Sequence, residues 1–131
     1  MAEYLLIVKK IKDMIVYNNV MLKQFPKHEK YLLANKVRET SYEIFEAAVT
    51  INKKFHKKTT FTDLNVKHEL LRQFINLAYD LKYIDSQKHR VSQIKIDEVA
   101  ERILTLGGTP LHTFEDYMIT SKVKVVKNES Q

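Results

Sequence analysis

From residue 25 to residue 55 the sequence holds a single helical rhythm. Leu33, Val37, Thr40, Ile44, Ala48, Ile51 and Phe55 recur at steps of three or four. That spacing lays one apolar stripe along a long amphipathic helix. Lys30, Asn35, Arg38, Glu39, Glu43, Glu46, Asn52 and Lys53 fill the other faces. Pro26 suits a first-turn position, where its missing N–H costs nothing. A helix of this kind cannot bury its stripe alone, so the remaining chain must supply partners.

The flanking segments provide them. Residues 3–23 read as a first helix, with Tyr4, Val8, Ile11, Ile15, Asn18 and Leu22 in step. Residues 24–27 form the turn into the second. Residues 59–63 are a polar break, with Thr62 or Asp63 as the cap of a third helix over 64–83. There Leu70, Phe74, Leu77, Leu81 and Ile84 keep the 3.5-residue period of bundle packing and are expected to face inward. Ser86 would cap a fourth helix over 87–106, burying Val91, Ile94, Val99, Ile103 and Leu106, with Gly107 and Gly108 as its stop. Only two glycines and two prolines interrupt 131 residues. Few breakers and short links predict an all-α, up-down-up-down four-helix bundle over residues 1–108. Residues 109–131 form a short, partly flexible C-terminal extension.

The same composition narrows the chemistry. With no cysteine, disulfides and thiolate metal sites are excluded. No apolar run reaches membrane-spanning length, and Lys9, Lys10, Lys12 and Asp13 interrupt any signal-peptide pattern. A soluble cytoplasmic protein with no membrane contact is expected. His28, His56, His68, His89 and His112 are scattered, with no i, i+4 pair, and read as surface or turn residues. Glu39, Glu43 and Glu46 share one face and read as solvated. Neither a Gly-rich phosphate loop nor a nucleophile elbow is present, so the chain is expected to be non-catalytic and to need no cofactor.

Charge is the informative feature. Residues 1–90 hold 17 Lys/Arg against 10 Asp/Glu, whereas residues 91–131 hold 5 against 6. A basic body points to an anionic partner, RNA or DNA. The candidate phosphate contacts are Lys53, Lys54, Lys57, Lys58, Arg38 and Arg72, of which the four lysines crowd around Phe55. Such contacts give salt-sensitive binding without base readout.

Three groups of residues carry a family resemblance. They are Phe25-Pro26-Lys27, Glu69-Leu70-Leu71-Arg72, and the run from Leu77 through Ala78, Tyr79, Asp80, Leu81, Lys82 and Tyr83 to Ile84. In order and spacing, residues 3–98 resemble the Avd-like four-helix proteins. These are the accessory proteins of diversity-generating retroelements and relatives encoded in ribosomal RNA intervening sequences. The resemblance implies a basic helical bundle that assembles as a homopentamer. It implies partners too: nucleic acid and the retroelement reverse transcriptase. Residues 96–125 resemble a different family, the Dps branch of the ferritins. That resemblance implies an iron-oxidising shell with Asp97 and Glu101 as metal ligands. Its further ligands would fall near Ser86, Lys82 and Leu70, none of which suits a cation, so Asp97 and Glu101 read as an orphaned, solvent-facing pair. The Avd-like ending, Ile96-Asp97-Glu98-Val99 followed by Leu106-Gly107-Gly108, is satisfied by the same stretch.

Overall fold

In a computed structural model the chain is described over residues 2–51 and 57–105, with side chains over 6–51 and 59–104. Four helices run α1 (Ala2–Leu22), α2 (Leu33–Ile51), α3 (Lys57–Asp80) and α4 (Ser86–Thr105). Each packs on its neighbour in sequence, and α1 closes the ring on α4. This is the expected up-down-up-down bundle. None of the described helices is long and apolar enough to cross a membrane. The expected extension over 109–131 lies outside the described residues.

The core is built from one face of each helix. Ile7, Ile11, Met14 and Met21 of α1 meet Val37, Ile44, Ala48 and Ile51 of α2, Leu64, Leu71, Ile75 and Ala78 of α3, and Ile96, Val99 and Ile103 of α4. Burying each large apolar side chain contributes about 1.5–3 kcal/mol. The stripe of the second helix is buried as expected from Leu33 to Ile51; Phe55 lies outside the described residues.

The helix ends explain where the sequence reading shifts. The long second segment does not start at residue 25. The amides of Lys23, Gln24 and Phe25 bond back to Val20, Met21 and Leu22 in a tightened last turn of α1. Pro26 lacks an N–H to continue it and sits at φ −57°, ψ 150°. A single 3₁₀ turn (Lys27–Glu29) follows, and the Glu29 carboxylate then accepts the Leu33 amide at 3.1 Å to start α2. The third helix begins at Lys57, so the threonine-rich run over 59–63 is helical rather than a break. Phe61 and Leu64 are buried and hold that first stretch on the bundle.

At the other end of α3, the Lys82 amide bonds to the Tyr79 carbonyl and the Tyr83 amide to the Ala78 carbonyl, both at 2.9 Å. This is a Schellman ending with Lys82 at φ 65°, a left-handed position that glycine usually fills. The cap of α4 is Asp85, not Ser86: its Oδ1 accepts the Lys88 amide at 2.8 Å, which also holds its carboxyl below the usual range.

Candidate nucleic-acid interface

Of the six predicted phosphate contacts, Arg38 and Arg72 do not lie together with the start of α3. Lys57 and Lys58 open α3, which has no acidic residue in its first turn. They therefore sit at the positive end of a helix dipole, whose partial charge has the same sign as theirs. Arg38 is half-buried in the first half of α2. Thirteen residues of helix, about 20 Å, separate it from Ile51 and the end where α3 begins. Lys53 and Lys54 lie outside the described residues.

Arg72 is a correction. It is 1% exposed, among the largest fully buried side chains, and cannot reach a phosphate on the bundle surface. Its guanidinium pairs with Asp97 Oδ1 at 2.8 Å and donates to Gln93 Oε1 at 2.9 Å. Burial of a charge on this scale is tolerated only with such partners.

Arg72 belongs to a polar seam between α3 and α4. Gln93 donates from Nε2 to Asn76 Oδ1, which also receives the His89 ring nitrogen, both at 2.9 Å. The His89 ring stacks on Tyr79 with centroids 4.2 Å apart. Further along, His68 Nε2 bonds to the Ile96 carbonyl at 2.9 Å. A third helix joins through Ser92, which donates to Asn18 Oδ1 of α1. His68 and His89 are thus core residues, not the surface or turn residues expected. Burial, with Arg72 nearby, pushes the His68 pKa down to about 3; burial also takes His89 down to about 4, with Asp80 opposing.

The exposed apolar residues are a second departure. On α3 and the turn that ends it, the expected inward leucines Leu70, Leu77 and Leu81 are 43–47% exposed, Phe74 is half-buried, and Ile84 is buried. With Val66 these leucines form a stripe on the outer face. Ile94 of α4, also expected inside, is 44% exposed.

The bAvd-like family profile matches residues 5–107. The chain belongs to the bAvd-like family. Neither a curated protein nor a solved structure matches it.

The bAvd-like match runs through residues 96–107, part of the stretch expected to be Dps-like, and no comparison shows a Dps relationship there. Asp97 is not an orphaned carboxylate there, because the Arg72 guanidinium occupies the place beside it that a metal cation would need. Among the described residues no cluster of three histidine or acidic side chains could hold a metal ion. What sequence reasoning missed in this bAvd-like chain is the other end of the bundle, where Tyr31 is 81% exposed. Its position just outside the α2 stripe was the signal.

Proposed function

We propose that this protein is a non-catalytic, cytoplasmic accessory protein of a diversity-generating retroelement. In this reading it assembles as a homopentamer, binds RNA or DNA through lysines, and supports the element's reverse transcriptase. The bAvd-like match over residues 5–107 carries the reading. Two features support it. Lys57 and Lys58 coincide with the positive end of α3, which favours an anion there. The exposed stripe of Val66, Leu70, Leu77 and Leu81 gives each subunit an apolar face to cover on assembly.

Phosphate binding predicts a steep salt dependence. Reversing the charge of Lys53, Lys54, Lys57 and Lys58 together is expected to weaken RNA binding at least tenfold and flatten its salt slope by about 0.7 for each phosphate no longer neutralised. Titrating labelled RNA at several salt concentrations reads both effects. Binding that matches the parent at every salt concentration would remove this cluster from the interface.

A further inference from the structure

The bundle end opposite Lys57 gathers two connections, one between α1 and α2 and one between α3 and α4. Over residues 23–36 and 80–88 the chain places six lysines and three carboxylates. All three are engaged by the fold, Asp80 through its charge interaction with His89. Glu29 accepts the Tyr83 hydroxyl at 2.9 Å and the Leu33 amide at 3.1 Å. Asp85 accepts the Lys88 amide and pairs with the Lys88 ammonium at 3.4 Å. Lys23, Lys27, Lys30, Lys36 and Lys82 are exposed and make no ion pair among the described residues.

Two further observations give this surface a shape. Tyr31 is 81% exposed, with the Lys30 ammonium 5.8 Å from its ring centroid. An aromatic ring this open among cations can take a base on its free face. Lys82 stands at φ 65°, where its Cβ is strained and glycine would be relaxed. The connections are held in register by Tyr83, whose ring packs 5.5 Å from Phe25 and whose hydroxyl bonds Glu29. Between them opens a cleft of about 650 Å³ lined by Gln24, Tyr79, Lys82 and Tyr83 together with the carboxylates Asp80 and Asp85.

We infer that this end of the bundle is a second nucleic-acid site, selective for single strands, with Lys23, Lys27, Lys30 and Lys82 on the phosphates and Tyr31 stacked on a base. It rests on the nucleic-acid reading above and adds to it a separate surface with a different preference. A duplex keeps its base faces stacked internally, so only an unpaired strand offers Tyr31 a partner.

The test measures binding of an unstructured oligouridylate and of an RNA duplex to the full chain. Tyr31→Ala is expected to weaken oligouridylate binding about tenfold and leave the duplex unchanged, while Tyr31→Phe keeps parental affinity. Lys82→Gly is expected to weaken oligouridylate binding and lower its salt slope by about 0.7, without lowering the unfolding midpoint. That midpoint distinguishes a missing phosphate partner from a damaged fold, because glycine relaxes the position. If Tyr31→Ala and Lys82→Gly both bind oligouridylate like the parent, this site is overturned and the lysines around Lys57 keep the nucleic-acid reading. Equal weakening of single strand and duplex on Tyr31→Ala overturns the stacking role. A parent chain that binds neither RNA overturns both readings.

Discussion

Arg72 keeps its charge away from water because Asp97 and Gln93 surround the guanidinium from the next helix. Removing the carboxylate would strand a buried cation. Asp97→Ala is therefore expected to destabilise the fold by about 3 kcal/mol, read by urea unfolding, and Asp97→Asn by less because an oxygen acceptor remains. A change under about 0.5 kcal/mol, typical of a surface substitution, would show that the pair does not hold the seam. The neighbouring histidines set an acid limit. In the unfolded chain they take protons near 6.5, whereas the fold holds His68 down to about 3 and His89 to about 4. The unfolded state therefore binds more protons throughout that interval. Stability is full above about pH 6.5 and falls toward pH 4, by up to about 1.4 kcal/mol per pH unit for each histidine. Unfolding curves taken between pH 7 and pH 4 check this, and His68→Gln should flatten the slope. None of this was legible in the sequence. Arg72, beside Leu71 and five residues from Lys67, reads as one more surface cation, and its partner lies 25 residues away on another helix.

At the scale of the element, α3 shows why periodicity alone chose the wrong face. The helix carries two apolar stripes. Val66, Leu70, Leu77 and Leu81 make the cleaner heptad but lie outside, while Phe61, Leu64, Leu71, Ile75 and Ala78 lie inside. The inner stripe is harder to see because His68, Arg72 and Asn76 interrupt it. Those residues are tolerated only because α4 answers them with Ile96, Gln93 and Asp97. The outer stripe then has a testable role. Replacing Leu70 and Leu77 together with glutamate is expected to leave helix content intact and reduce the native mass to that of one 15.5 kDa chain. Parental mass in that variant would place the subunit contact on another face. By contrast α2 was legible, since its apolar stripe is continuous and each turn adds a buried member from Leu33 to Ile51.

At the scale of the molecule, the count and order of helices among the described residues followed from few breakers and short links, and α4 falls within one residue of its expected span. What did not follow was which surfaces the bundle leaves open. Helix order sets which ends meet, and only then do Lys23, Lys27 and Lys82 become neighbours of one bundle end while Arg38 separates from Lys57. The exposed lysines of residues 23–36 and Lys82 thereby lie at the end opposite the start of α3 rather than in one patch with Lys57 and Lys58.

Glu29 joins the two connections at one of those ends in a way that reaches beyond capping. One of its oxygens holds the Leu33 amide at the start of α2, and the other holds the Tyr83 hydroxyl just past the end of α3. Loosening either turn releases a hydrogen bond on the same carboxylate. The bundle end therefore behaves as a single clasp: a force applied at one turn is felt at the other, because the first turn of α2 is tied to Tyr83 through Glu29.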